Sequence, residues 1–141
     1  MSRTTLDDTL GYVMNRVAHK IDYTLNELFK TWGITVAQWT ALRFIEEDAP
    51  LCQKSLAARM RKNQNTIKAM VDQLLKRQLI HREPDENDKR VMVLTLSDKG
   101  RALITEIAPK EDEINACVTK GLTEEEEKTM LALLTKIEAS I

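Results

Sequence analysis

The sequence predicts a mostly α-helical fold with one small β-hairpin, and three observations support this. Apolar residues recur at steps of three and four along most of the 141 residues. Only 4 glycines and 3 prolines are available to interrupt these helical stretches. Between residues 79 and 96 the period shortens to two on either side of a polar turn, a pattern typical of two strands joined at a tip. The length suits one domain.

The N-terminal segment is predicted to form one long helix over residues 8–32. Glycine readily takes the left-handed conformation that follows a helix, so Gly33 marks the end. The apolar face comprises Leu10, Val13, Met14, Val17, Ile21, Leu25, Leu28, Phe29 and Trp32.

The next helix begins at a capping box formed by Thr35 and Gln38 and extends to about Glu47. A turn at residues 48–50 separates it from a short helix over about 53–60. The buried face of the longer helix is expected to comprise Trp39, Leu42, Phe44 and Ile45.

A polar turn at residues 61–63 leads into another helix, for which Asn63 is the expected cap. That helix begins at Gln64 and buries Ile67, Met70, Val71, Leu74 and Leu75. Two helices joined by a turn of about three residues form a helix-turn-helix unit.

The β-hairpin follows directly, with its polar tip at residues 85–90. In the second strand Val91, Val93 and Thr95 are expected to point one way, and Met92, Leu94 and Leu96 the other. A helix-turn-helix followed by such a hairpin is the arrangement of a winged helix, in which one helix can enter a DNA groove while the wing reaches another.

Two further helices are predicted after the hairpin. Ser97 caps the first, and Pro109 is expected to cause a kink or short break near Ala108. Thr123 and Glu126 form a second capping box. We expect residues 35–104 to form the winged-helix lobe, and residues 1–33 and 105–141 to supply dimerisation helices, because a second copy of the chain could cover their apolar stripes.

The charge is unevenly distributed, although the net charge is only −1. Residues 51–90 carry ten basic and five acidic side chains, whereas the segments on either side are net acidic. A basic central segment between acidic flanks favours binding to a polyanion.

Several motifs resemble those of the MarR family of bacterial regulators, in the same order. LCQKSLAARM is similar to the opening of the family's helix before the reader helix, and TIKAMVDQLLKRQLIHREP to the reader helix and first wing strand. Asp85, Asp88 and Arg90 match the wing motif D-x-x-D-x-R. The resemblance covers about residues 35–104 and implies a homodimeric DNA-binding repressor, released by a phenolic or drug-like ligand.

Three positions depart from the family pattern. Gln78 stands where glycine is usual, after the reader helix, and Cys52 stands where threonine is common. Asn87 replaces the wing-tip arginine of many members, so minor-groove insertion by this wing is in doubt.

The residue types at the start of the reader helix suit recognition of DNA. Side-chain amides can pair with adenine and lysine can reach guanine, whereas phosphate contacts from cations carry no sequence information. The predicted base or phosphate contacts are Gln64, Asn65, Thr66 and Lys68, and the predicted phosphate contacts are Lys54, Arg61 and Lys62. In the wing we expect Asp88 to pair with Arg90, leaving Lys89 as a further cation.

A small-molecule site is predicted less sharply. His19, Tyr23, Trp39 and Phe44 could line a cavity near the dimer helices, although the hydrophobic core is the favoured interpretation for any single aromatic ring. We expect no cofactor and no metal, because the two histidines are isolated.

Two alternatives to the repressor remain open. A winged-helix module could bind proteins rather than DNA, or Cys52, at a predicted helix N-terminus beside Lys54, could sense oxidants. Cys117 is expected to be buried or incidental. An enzyme is disfavoured because the chain carries no glycine-rich phosphate loop or nucleophile motif. The N-terminus lacks a signal-peptide pattern and no long apolar run occurs, so a cytoplasmic location is expected.

Overall fold

The computed structural model describes residues 5–141 and confirms the predicted fold class. Six α-helices lie in the described chain, together with short 3-10 turns at Leu6–Asp8 and Lys30–Trp32. The helices are α1 (Leu10–Phe29), α2 (Val36–Asp48), α3 (Gln53–Met60), α4 (Gln64–Lys76), α5 (Asp98–Thr119) and α6 (Glu124–Ala139), and the strands are β1 (Leu51–Cys52), β2 (Ile80–Pro84) and β3 (Met92–Leu96).

The predicted helix boundaries are confirmed where local capping chemistry sets them. Thr35 and Gln38 form a reciprocal capping box at the start of α2, and Thr123 and Glu126 form another at the start of α6. Gly33 is left-handed, with φ of 64°, and closes the turn after α1. These signals involve residues within four positions of each other, and the sequence alone therefore identifies them.

The sheet has three antiparallel strands in the order β1-β3-β2, so the prediction of a two-stranded hairpin was incomplete. The missed strand, β1, pairs Leu51 with Leu94 and Cys52 with Val93. The central strand is β3. Its Val93 and Leu94 are both buried, although their side chains point to opposite faces of the sheet. Residues 85–91 between β2 and β3 form the wing tip.

The residues of the hydrophobic core run in sequence from Phe29, at the end of α1, to Ile107, in the first half of α5. Phe29 packs against Trp39 with ring centroids 5.4 Å apart. The fully buried side chains with the largest volumes are Phe29, Leu42, Ile45, Leu56, Ile67, Val71, Leu74, Leu79, Leu94 and Ile107. The core therefore packs α4 together with strands β2 and β3.

The helix α5 runs without interruption through Pro109, so the expected break at Ala108 was wrong. A proline removes one backbone donor and leaves the carbonyl four residues earlier, that of Thr105, without its helical partner. Thr105 and Pro109 are both exposed, so water can satisfy that carbonyl, while Ile104 and Ile107 hold the helix to the core.

Candidate nucleic-acid interface

The helix-turn-helix is closed by a three-residue turn from Arg61 to Asn63. Arg61 is left-handed, with φ of 55°, and Lys62 donates its backbone N–H to the carbonyl of Ala57 over 3.1 Å. The side chain of Asn63 then accepts the backbone N–H of Thr66 at 2.8 Å, which starts α4. The predicted cap is confirmed, and it fixes the direction in which α4 leaves the turn.

The first turns of α4 have one buried face and one exposed face. Ile67 and Met70 are buried, whereas Gln64, Asn65, Thr66, Lys68 and Ala69 are all exposed. The exposed side chains include two amides, one hydroxyl and one ammonium group, which are the donors and acceptors that match base edges and phosphates. Within the described residues this face of α4 is exposed and therefore accessible to a ligand.

The three residues predicted to contact phosphates are all exposed. Lys54 lies on α3, and both Arg61 and Lys62 lie in the turn. Arg61 forms an ion pair with Glu138 near the end of α6. A phosphate would therefore compete with a carboxylate for Arg61, whereas no such ion pair involves Lys54 or Lys62 among the described residues.

The wing tip is held by Asp88, as predicted. Its carboxylate accepts the Arg90 guanidinium twice, at 3.0 Å from Nε and 3.2 Å from Nη2, and the Arg90 backbone N–H at 3.1 Å. The hydrogen bonds from Arg90 hold the pKa of Asp88 below its ordinary value. The Arg90 side chain is 91% exposed, so its outer donors still face solvent. Lys89 is exposed beside it.

The sequence analysis missed Arg77, at the end of α4. Its guanidinium donates to the carbonyls of Gly33 and Trp32 over 2.8 and 2.9 Å. No local motif indicates these bonds, because the partners are more than 40 residues away. The only signal for Arg77 in the sequence was a basic residue at the end of a predicted helix.

Cys52 caps α3 and is half-buried. Its sulfur lies 3.2 Å from the Ser55 hydroxyl and accepts the Ser55 backbone N–H at 3.4 Å. The contact with the Ser55 hydroxyl, and to a smaller extent the bond from the Ser55 backbone N–H, lower the pKa of the Cys52 thiol. Cys117 is exposed on α5, so of the two alternatives expected for it, buried or incidental, the structure of the single chain contradicts the first.

The four residues predicted for a small-molecule site do not share one environment. Trp39 is 3% exposed in the core and donates its indole N–H to Glu111, whereas Tyr23 is 65% exposed. Phe44 is half-buried beneath the Arg59 guanidinium, 4.3 Å from the ring centroid, and His19 is exposed.

A cleft of about 460 Å³ lies instead between α1, α2 and the helix-turn-helix turn. Its lining comprises Asp22, Asn26, Thr35, Val36, Ala37, Thr40, Met60 and Lys62. Among the described residues no group of three or more His, Cys, Asp or Glu side chains could hold a metal ion. None of the described helices is both long and apolar enough to cross a membrane.

Comparison with known proteins places these features in one family. Residues 34–92, which include the helix-turn-helix and most of the wing, match the model described as the MarR family. Among curated proteins, the HTH-type transcriptional regulator MgrA of Staphylococcus aureus is 24% identical over 115 residues, which cover 82% of this chain and 77% of MgrA.

Two solved structures have the same architecture over nearly their whole length. A probable transcriptional regulator from Pseudomonas aeruginosa is 32% identical with a TM-score of 0.77, covering 94% of this chain and 99% of that one. A MarR variant from E. coli in complex with operator DNA is 29% identical with a TM-score of 0.82, covering 91% and 92%.

Proposed function

The chain belongs to the MarR family of transcriptional regulators, and we propose that it is a homodimeric repressor which binds a palindromic operator and is released by a small phenolic or drug-like ligand. It is a DNA-binding regulator rather than an enzyme. The observation that carries the proposal is the exposed face at the start of α4, a helix that Asn63 caps and that directly follows the exposed cations Arg61 and Lys62.

Recognition of a sequence requires base contacts and phosphate contacts in separate roles. The amides of Gln64 and Asn65 lie at the N-terminal end of α4, the part of a reader helix that meets base edges. Thr66 and Lys68 continue that face, and the exposed cations Lys54, Arg61 and Lys62 are the phosphate contacts of this proposal. In the wing, Asp88 shapes the tip so that Lys89 and Arg90 can contact the DNA backbone.

The homodimer is supported by helices that the single chain leaves uncovered. Within the described residues, α6 has no buried side chain. Its apolar residues include Met130, Leu131, Leu133 and Leu134, with exposed fractions of 47, 60, 49 and 38%. Between α1 and α5 lies a groove lined mainly by Val17, Ile21, Ile114 and Val118. A second copy that placed α6 near this groove would remove both apolar surfaces from water.

Release by a ligand is supported by the cleft between α1, α2 and the helix-turn-helix turn. Its volume lies within the range of small-molecule sites, about 300–1,000 Å³. Lys62 lies both in the cleft and in the predicted phosphate-binding turn. An anionic ligand in the cleft would attract Lys62 away from DNA, which links occupancy to release.

Binding measurements on three single variants test the division between reading and clamping. Asn65→Ala should relax sequence preference, because a base-specific amide pair contributes about 1–3 kcal/mol. Lys62→Ala should weaken binding to all duplexes about equally and reduce the salt slope by about one. Lys110→Ala is a matched control, since it removes the same charge from an exposed position on α5.

The assay is fluorescence anisotropy with a duplex selected from a random pool and a scrambled duplex, at several salt concentrations. The wild type should lose roughly 10³–10⁵ in affinity between 50 and 200 mM salt if about 6–10 phosphates are contacted. Salt-independent binding, or equal losses for Asn65→Ala and Lys62→Ala on both duplexes, would refute the assignment. The absence of any selected duplex would favour a protein-binding module instead.

A further inference from the structure

Three side-chain hydrogen bonds join the reader helix α4 to the corner where α1 leads into α2. Two of them come from the Arg77 guanidinium, which donates to the carbonyls of Gly33 and Trp32 over 2.8 and 2.9 Å. The third runs from the amide of Gln38 on α2 to that of Gln73 on α4, over 3.0 Å. In the described chain no other hydrogen bond connects α4 with α1, α2 or the corner between them.

The geometry of the Arg77 bonds makes them directional. The planar guanidinium contacts two successive carbonyls, and Gly33 is held in a left-handed turn with φ of 64°. Charged donors make stronger bonds than neutral ones, and two parallel bonds fix orientation as well as distance. A lysine ammonium at the same position could not reproduce the fork.

The backbone at Arg77 is fixed independently of its side chain. Lys99 at the start of α5 donates to the Arg77 carbonyl over 2.9 Å, and the Ser97 hydroxyl donates to the carbonyl of Gln78 over 2.6 Å. The end of α4 is therefore attached to the start of α5, while the Arg77 side chain reaches across to the corner between α1 and α2. Removing that side chain leaves the α5 attachment intact.

We propose that Arg77 is a positioning residue which, with Gln73, sets the distance between the two reader helices of the dimer and hence the half-site spacing of the operator. This inference rests on the proposed homodimeric DNA-binding function. In that dimer α1 belongs to the shared interface, so the placement of each α4 relative to its own α1 determines where the two α4 helices meet the DNA. Arg77 makes no base or phosphate contact in this account.

Selection from a pool of random duplexes of about 30 base pairs measures spacing without a known operator. The wild type should enrich paired half-sites at one spacing, close to one helical turn or a multiple of it. Arg77→Ala should enrich the same half-site sequence at several spacings, and Arg77→Lys should show an intermediate spread. Lys76→Ala is the matched control, because it removes a cation from the neighbouring exposed position and should reproduce the wild-type spacing.

Anisotropy titrations on the selected duplex and on versions altered by one or two base pairs between the half-sites give the magnitude. The wild type should lose about tenfold or more on the altered duplexes, and Arg77→Ala less than about threefold, with an unchanged salt slope. Circular dichroism establishes that each variant is folded. Gln73→Ala, which removes only the neutral bond, should broaden spacing in the same direction and serves if Arg77→Ala does not fold.

Three outcomes overturn the inference. If the wild type selects paired half-sites and both variants keep its single spacing, positioning by Arg77 is refuted while the proposed function stands. If Arg77→Ala weakens all duplexes equally and lowers the salt slope by about one, Arg77 is a phosphate contact instead. If the wild type selects no paired half-sites, the homodimeric reader fails and the inference fails with it.

Discussion

Residues 35–104, predicted to form the winged-helix lobe, and the C-terminal helix α6 differ in how their apolar residues are covered. In the lobe, Leu42, Leu56 and Leu74 are completely buried within one chain. In α6, by contrast, Leu131 remains 60% exposed and no described side chain of the helix is buried. The lobe is stabilised by its own contacts, whereas the described part of the chain does not cover the apolar face of α6.

This difference separates two tasks. The proposed base and phosphate contacts use side chains that the lobe holds by itself, through caps such as Asn63 and the ion pair of Asp88 with Arg90. Pairing of two lobes on DNA would depend on the outer helices. The loss in free energy of unfolding should therefore depend differently on protein concentration for substitutions in the two regions, and should also differ in magnitude.

The largest effect is expected from truncation in the lobe core. Leu42→Ala removes a side chain with no exposed surface and should lower the free energy of unfolding by about 2–5 kcal/mol. Urea unfolding at two protein concentrations should give the same loss. Leu134→Ala in α6 should instead reduce stability only at concentrations where the wild type is dimeric, because association stabilises the folded chain by mass action. Equal concentration dependence for both variants would contradict the separation.

A smaller loss is expected at the junction of the lobe with α5. A Cβ on Gly100 would lie 2.1 Å from the carbonyl oxygen of Leu79, so Gly100→Ala must displace the start of α5. We expect a loss near the upper end of about 1–3 kcal/mol, as backbone blocks the new methyl group. Gly121→Ala is the control, since nothing lies within 4 Å there. Similar urea midpoints for the two variants would show that the close approach is absent.

A gain in stability is expected at Gln78, which has φ of 60° at the position where the family usually has glycine. The left-handed conformation destabilises the folded state by about 1–2 kcal/mol for a residue with a side chain. Glycine removes this strain, but its greater freedom in the unfolded chain reduces the gain by about 0.5–1 kcal/mol. Gln78→Gly should therefore stabilise the lobe by about 0.5–1 kcal/mol in urea unfolding. A lower midpoint would mean that the Gln78 side chain makes a favourable contact.

The smallest effect concerns the two cysteines, Cys52 in the lobe and Cys117 on α5. The lowered pKa of Cys52 should let alkylation by iodoacetamide begin at lower pH than for a free thiol, and Ser55→Ala should move that profile upward. Cys117 lies in the groove between α1 and α5, so a second copy should slow its alkylation until dilution separates the chains. Peptide mapping by mass spectrometry measures both sites. Equal Cys117 rates at all concentrations would show an uncovered groove.

The sequence predicted the features that depend on neighbouring residues. The capping residues Thr35, Asn63 and Thr123 identified three helix starts, and the Asp88–Arg90 pair was predicted from the wing motif to which both residues belong. The exposed face of α4 followed from helical periodicity.

Features that depend on distant residues were missed. Strand β1 has only two residues and exists through pairing with β3, about 40 positions later, so no periodicity indicates it. The Arg77 bonds have the same origin. For the predicted ligand residues, periodicity put Trp39 on a buried face and left Tyr23 off one, as observed, but residue type alone does not distinguish the wall of a cavity from the core.

Light scattering on the wild type and on a Leu134→Glu, Ile137→Glu double variant tests the central claim most directly. At micromolar concentration the wild type should have twice the mass of one chain. The double variant should have the mass of one chain with an unchanged circular dichroism spectrum, because two carboxylates on the apolar face of α6 oppose burial against a second copy. A monomeric wild type, or a double variant that remains dimeric, would contradict the account.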